Sequence, residues 1–263
     1  MKMDGYEVIE VTSRDEGAAL EIKMNSPKGN ILSMQMMKEI SAALDANAER
    51  NELRMILLCA EGKHFSFGAS VEEHRKEQAP SMLASFHEFI RKLAAYPVPV
   101  VSLVQGSCLG GAFEMVLASH LVFATDDANF GCPEIQLGVF PPVLAAIGPH
   151  RLGGAVSERM LLCGSTIDAS TAERIGFVSK VFAKDDAEES IWGFFREELA
   201  SRSGFALRQA TKASRGASGL LEALREPLAA LEKQYVDEVV PSHDGDEGIE
   251  AFLARRKPSW KHQ

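Results

Sequence analysis

Two carboxylates stand out because each is set in apolar, glycine-marked sequence. Glu114 lies in "QGSCLGGAFEMVLAS", residues 105–119, just past Gly110-Gly111-Ala112. Glu134 lies in "CPEIQLG", residues 132–138. Paired carboxyls can divide acid–base work: one orients or deprotonates water while the other supplies a proton. Burial and mutual repulsion separate their proton affinities. The pair is 20 residues apart, which is no helical period, so only tertiary contact can join them. Taken singly, each glutamate has a plainer reading as a helix cap, a loop residue or a salt-bridge partner.

Glycine-marked backbone could supply a second kind of chemistry. Gly110-Gly111-Ala112 before a helix leaves first-turn N–H groups without intrahelical acceptors. Those donors and the helix dipole favour a developing negative oxygen. "FSFGAS", residues 65–70, offers another such donor at Ala69. Convergence of the Ala69 and Gly111 N–H groups would make an oxyanion site. Close packing at Gly110 and a plain strand–helix connection at Gly68 explain the same letters without chemistry.

Other reactive types form weaker patterns. Neither GxGxxG nor a P-loop is present, so generic glycine richness does not make a nucleotide site. The seven histidines form no metal-ligand spacing, and HExxH is absent. His64 and His74 flank the first glycine loop as candidate pocket residues. His87, His120 and His150 read as structural or solvated. Ser66, Ser70 and Ser107 do not sit in GxSxG, and Cys108 has no identifiable histidine partner. Cys59, Cys108, Cys132 and Cys163 read as core thiols rather than disulfides.

The elements that must position these residues read as follows. "YEVIEVTSRDEGAALEIKM" is two strands around a turn at Gly17. "SMQMMKEISAALDANAERN" is an amphipathic helix capped by Ser33. "RMILLCA" and "VVSLVQG" are buried strands, with a helix over 81–95 between them. "GGAFEMVLASHLVFA" is a helix giving way to a strand. "NFGCPEIQLGVFPP" reads as irregular chain, and Val143 to Leu162 as helix. "GSTIDASTAERIGFVSKVF" is a capped short helix before a strand. The rest is helical, with "PSHDGDEG" as a flexible break. Strand–helix alternation followed by helices predicts an α/β core over residues 1–195 and a helical region over 196–263.

Composition limits the function classes. The chain has 263 residues, 46% hydrophobic and 25% charged, with net charge −9. That balance suits a globular protein and argues against a nucleic-acid surface. No apolar run reaches the ~18 residues of a membrane span, and "MKMDGYEVIEV" lacks a signal-peptide core. A cytoplasmic setting is expected.

Taken together and in order, "SPKGNILS", "HFSFGAS", "VQGSCLGGAFEMVLASHLVFA", "ANFGCPEIQLG" and "AFLARRKPSW" resemble the enoyl-CoA hydratase/isomerase family, also called the crotonase family. The likeness covers nearly the whole chain. It implies repeated ββα turns in a spiral core, then a C-terminal helical trimerisation region. It implies an acyl-CoA substrate and homo-trimers, often paired into hexamers. Ala69 and Gly111 match the oxyanion donors, and Glu114 and Glu134 match both hydratase carboxylates. Glu114 would chiefly handle water and Glu134 chiefly proton transfer. Lys28 is marked near the nucleotide side, with Phe252 and Lys257 at a neighbouring subunit's pocket. No metal and no bound redox cofactor are implied; coenzyme A arrives as part of the thioester.

Two departures from the family pattern concern the acyl pocket. Ser70 follows the oxyanion alanine where common members carry aspartate. Pro141-Pro142-Val143 replaces a glycine-rich approach to the next helix, and proline restricts that backbone. "GASVEEH" and "VFPPVLAA" look like the family branch that hydrates cyclohexa-1,5-diene-1-carbonyl-CoA. The alternatives are a trans-2-enoyl-CoA hydratase of fatty-acid β-oxidation and a noncatalytic RNA-binding or scaffold relative. Acidic charge and both retained carboxylates oppose the last.

Overall fold

The protein is described by a computed structural model covering residues 2–3 and 5–263, with only the backbone described at Lys28. Its strands are β1 (Lys2–Met3), β2 (Ile9–Arg14), β3 (Ala19–Met24), β4 (Met55–Ala60), β5 (Val100–Val104), β6 (Ser107–Leu109), β7 (Leu121–Thr125), β8 (Asn129–Gly131), β9 (Thr166–Asp168) and β10 (Lys180–Phe182). Among the described residues, seven form one sheet in the order β1-β2-β3-β4-β5-β7-β10. β1, β2 and β3 pair antiparallel, and every later pairing is parallel.

The sheet is apolar on both faces, as parallel strands covered on two sides require. The side-chain period of two explains the partition. Leu20, Ile22, Ile56, Leu58, Val100, Val122 and Ala124 enter the main core. Their neighbours Ala19, Met55, Leu57, Val101 and Phe123 enter a second cluster on the other face. Helices Met34–Asn47, Ala79–Ala94 and Gly111–Ala118 contribute to the main core. Helix Ala187–Phe194 and its continuation through a π turn, Phe195–Leu199, contribute Ile191, Trp192, Phe195 and Leu199 to the second.

Gly111–Ala118 lies at the centre, with all eight residues buried. A helix apolar nearly all round belongs inside a core. Its single charged residue is Glu114, 3% exposed.

A smaller sheet of β6, β8 and β9 carries the loops of interest. β6 and β8 are parallel, and β8 and β9 antiparallel. Isolated parallel bridges Ser66–Cys108 and Leu32–Ala69 extend the same ladder sideways.

Several elements differ from expectation. "NFGCPEIQLGVFPP" is not wholly irregular: it holds β8 and a 3-10 turn, Glu134–Leu137. A run of three strand residues is too short to show alternation. Helix 143–162 is two helices, Pro142–Leu152 and Gly154–Cys163, broken at Gly153. "PSHDGDEG" is no flexible break. Ser242 Oγ accepts from Gly245 N at 2.9 Å and caps a helix, His243–Leu253. Ser33 caps its helix as expected. Cys59, Cys108 and Cys132 are buried, but Cys163 is exposed, and all four thiols are free.

The strand-bearing part ends at Phe182, and position 195/196 falls within the helix that runs on to Leu199. Leu220, Leu224, Leu228 and Tyr235 belong to the main core cluster. Among the described residues no helix is long and apolar enough to cross a membrane.

Phe113 ties the central helix to the smaller sheet, with ring centroids 5.7 Å from Phe130 and 5.6 Å from Phe177. Phe113→Ala should lower stability by about 3–5 kcal/mol through lost burial and a residual cavity. Denaturant melts would show it as a lower midpoint at unchanged slope. A loss under about 1 kcal/mol would mean that Phe113 is not a packing centre.

Candidate active site

The site lies where parallel backbone segments end side by side. Ser66 N donates to Ser107 O at 3.1 Å, and Leu109 N donates to Ser66 O at 3.1 Å. On the other side of β6, Leu109 is in register with Gly131 of β8, and Gly110 N donates to Gly131 O at 2.8 Å. The three chains then diverge at one level. One leads to Ala69, one to Gly111 and Glu114, one to Glu134. The 20-residue gap between the glutamates is therefore the path out of β6, through the central helix and β7, and back along β8.

Glycine is required at two points of this junction. Gly110 has φ +54°, and a Cβ there would sit 2.8 Å from Glu134 Oε1. Gly68 has φ +97°, and its Cβ would meet Leu109 O at 2.6 Å. Both conformations disfavour any side chain. They allow Ala69 to approach the start of the central helix: a Cβ built on Gly111 would be 3.5 Å from Ala69 N. Sequence reasoning paired these two residues, and the structure brings them together. Gly111 is the first residue of its helix, so its N–H has no intrahelical acceptor.

Both carboxyls line one cavity of about 350 Å³ with Ala69, Gly110 and Gly111. Their environments differ. Glu114 Oε1 accepts from Leu144 N at 2.9 Å, in the first turn of Pro142–Leu152. Pro142 opens that helix at a position where its missing N–H is harmless. The Pro141-Pro142 departure thus places a helix N-terminus against the Glu114 carboxylate. Glu134 as a residue is half-buried, but its Oε2 is sealed from solvent and has no hydrogen-bond partner in the chain.

Burial pushes the Glu114 carboxyl well above the usual range, while the Leu144 and Val143 N–H groups pull it back. Burial also raises Glu134, and the neighbouring Glu114 charge raises it further. Two carboxylates on the wall of one largely apolar cavity cannot both ionise easily. The hydrogen bond from Leu144 favours the charge on Glu114 and leaves the proton on Glu134.

The remaining wall is largely apolar, with Phe67, Met82, Leu83, Phe86 and Phe140. Sequence reasoning missed these residues, because amphipathic spacing marks core and cavity lining alike. It also missed Tyr235, which lines the cavity from the C-terminal helices. A tyrosine inside the charged stretch "EKQYVDEVV" was the available signal. His74 lines the cavity as expected; burial lowers its proton affinity, and Nδ1 donates to Ser70 O at 2.8 Å. His64 does not line it: Nδ1 accepts from Ser107 N at 3.1 Å and braces β6.

The proposed coenzyme contacts are dispersed. Phe252, expected at a neighbouring subunit's pocket, lines the cavity of its own chain and is 54% exposed. Lys257 is exposed and outside that lining. Its neighbour Arg256 forms a fork with Glu247, at 2.6 and 2.7 Å. The Lys28 side chain lies outside the described residues.

A largely apolar cavity, two carboxyls on its wall and the close approach of Ala69 to Gly111 make a site suited to acid–base chemistry. The sequence profile of the enoyl-CoA hydratase/isomerase family matches residues 14–263, and the chain belongs to that family. Among its relatives is the cyclohexa-1,5-dienecarbonyl-CoA hydratase of Thauera aromatica, 38% identical over 94% of this chain and 95% of the relative. A probable enoyl-CoA hydratase of Bacillus subtilis is 30% identical over 91% of this chain and 94% of its own. The fold is that of a solved enoyl-CoA hydratase from Mycobacterium avium subsp. paratuberculosis, with TM-score 0.83, 24% identity, and 98% and 100% of the two chains covered. Methylmalonyl CoA decarboxylase shares it at TM-score 0.81 and 23% identity, covering 99% of this chain and 100% of its own. One fold thus carries different reactions, and the site must argue the chemistry.

The raised carboxyls predict a pH signature. Relative to an ordinary value of 4.5, the folded chain holds these protons to higher pH than the unfolded chain. Above the unfolded value, the folded state therefore binds more protons, and stability falls as pH rises. The double variant Glu114→Gln, Glu134→Gln should melt higher than the parent at pH ~8, with the gap closing towards pH ~4.5. Thermal melts across that range check it. A gap that widens on acidification would show that the carboxyls are stabilised as charges.

Proposed function

We propose that this chain is a hydro-lyase acting on a conjugated acyl-CoA thioester, with Glu114 as the water-activating base and Glu134 as the proton donor. The carrying observation is their asymmetry. Glu114 has a backbone N–H from Leu144 to stabilise its charge, whereas Glu134 Oε2 has no partner in the chain and that same charge raises Glu134. The Ala69 and Gly111 N–H groups receive the thioester oxygen as negative charge develops. Donors fixed in place before reaction favour the transition state over the ground state. Coenzyme A enters as part of the substrate, and the reaction takes no metal or redox group.

The favoured acyl group is cyclic. Support comes from the 38% identity to the Thauera aromatica hydratase and from the aromatic and proline-lined wall. On cyclohexa-1,5-diene-1-carbonyl-CoA, the water oxygen bonds to the β-carbon and its proton passes to Glu114. The electron pair moves towards the thioester oxygen. It then returns through the diene, and Glu134 delivers its proton to the far diene terminus. The product is 6-hydroxycyclohex-1-ene-1-carbonyl-CoA, an intermediate of anaerobic aromatic degradation.

The working unit is a homo-trimer or hexamer in the cytoplasm. Exposed Leu162, Phe205 and Phe252 offer apolar surface for such contacts. Lys28 and Lys257 are assigned to the coenzyme's anionic end. The relatives named as enoyl-CoA hydratases favour trans-2-enoyl-CoA as the second reading.

Purified enzyme offered the cyclic dienoyl thioester and crotonyl-CoA should turn over the former faster. Efficient crotonyl-CoA hydration without any diene turnover would sink the cyclic assignment. Glu114→Gln and Glu134→Gln should each cut kcat by about 10²–10⁴-fold, with thioester binding and assembly retained. Near-normal turnover in both would remove the paired-carboxyl mechanism.

A further inference from the structure

The cavity contains another buried polar group that the hydration scheme leaves unused. Tyr235 is 2% exposed and lines the same cavity as both glutamates. Its hydroxyl has no hydrogen-bond partner in the chain, and neither does Glu134 Oε2. The ring packs at 5.4 Å from Phe140, within the "VFPP" segment whose helix also supports Glu114. Tyr235 opens a π turn, Tyr235–Val239, within the helix begun at Glu226. Such wide turns recur where a side chain is re-aimed at a functional site.

Tyr235 and Glu134, whose phenol oxygen and Oε2 both lack a partner in the chain, thus line one cavity. A buried polar group that lacks a protein partner is ordinarily satisfied by ordered water. At about 350 Å³ the cavity has room for water beside an acyl group, since one water fills about 30 Å³. Burial and the charges of Glu134 and Glu114 push the phenol upward, so it remains a donor wherever the enzyme works.

We propose that Tyr235 is a positioning residue of the reaction site, its hydroxyl linked through cavity water to Oε2 of Glu134. The inference rests on the paired-carboxyl reading and extends it. Tyr235 donates to the water, and the water donates to the Glu134 carboxylate left after proton delivery. When Glu134 is protonated the chain reverses, because a hydroxyl both donates and accepts. Tyr235 gains and loses no proton over the cycle. Its effect is to stabilise the ionised form of Glu134 and so to ease release of the proton to substrate.

The test is Tyr235→Phe in the full-length enzyme, which keeps the ring on Phe140 and removes only the hydroxyl. An infrared titration follows the protonated-carboxyl band of Glu134, assigned by its loss in Glu134→Gln. Loss of a donor to the ionised form should raise the Glu134 midpoint by about one pH unit. Turnover should fall roughly tenfold with KM changed less than about twofold. Site-specific 3-fluorotyrosine at position 235 is a stronger donor and should shift the midpoint the other way. If neither replacement moves the midpoint, the proposal is overturned, whatever the turnover. If both move it in an enzyme that hydrates neither thioester, the hydrogen-bond assignment stands and the hydration reading fails.

Discussion

The short parallel ladder through Ser66, Cys108 and Phe130 is the constraint on which the site depends. Its backbone hydrogen bonds set three chain segments side by side and release them at the same level. Without that register, Ala69, Gly111 and Glu134 would have no reason to meet. Gly68 and Gly110 let the segments turn sharply enough to share one cavity. The nearness of the two carboxyls follows from this junction. The larger sheet supplies its rigidity by burying both faces, and the central helix carries Glu114 into the middle of the molecule.

Two buried acids are costly to ionise together, and the structure resolves the conflict by treating them unequally. The helix begun at Pro142 aims its first-turn N–H at Glu114. Glu134 receives no such help at Oε2. Roles that are interchangeable by residue type become distinct by environment. The Pro141-Pro142 segment, which looks in sequence like a change in pocket shape, also sets that electrostatic difference. Its neighbour Phe140 packs on Tyr235, so one segment organises both the carboxyl pair and the C-terminal side of the cavity.

Much of the scaffold was legible because its elements are long enough to show a period. The Ser33-capped helix, the buried strands Met55–Ala60 and Val100–Val104, and the helix Ala79–Ala94 all declare themselves. The elements that were missed are the short ones nearest the site. β6, β8 and β9 have three residues each, below the length at which alternation can be read. "PSHDGDEG" misled because its glycines and acids resemble a linker, whereas Gly248 permits contact with the turn at Glu134–Leu137. A Cβ there would lie 2.0 Å from Leu137 O, so the glycine serves close approach rather than flexibility.

The sequence by itself determined the inventory of the site: two glutamates in apolar surroundings, two glycine-marked donors, and a chain resembling one enzyme family throughout. Those follow from residue type and local spacing, which need no third dimension. Only the tertiary structure decided how the inventory works. Which carboxyl holds its proton depends on Leu144, 30 residues from Glu114. Whether Ala69 faces Gly111 depends on a ladder between distant segments. That Tyr235 belongs to the cavity depends on helices folding back over 100 residues later in the chain than Glu134. Proton affinity and the approach of Ala69 to Gly111 are set by neighbours through space, and spacing along the chain carries no record of them.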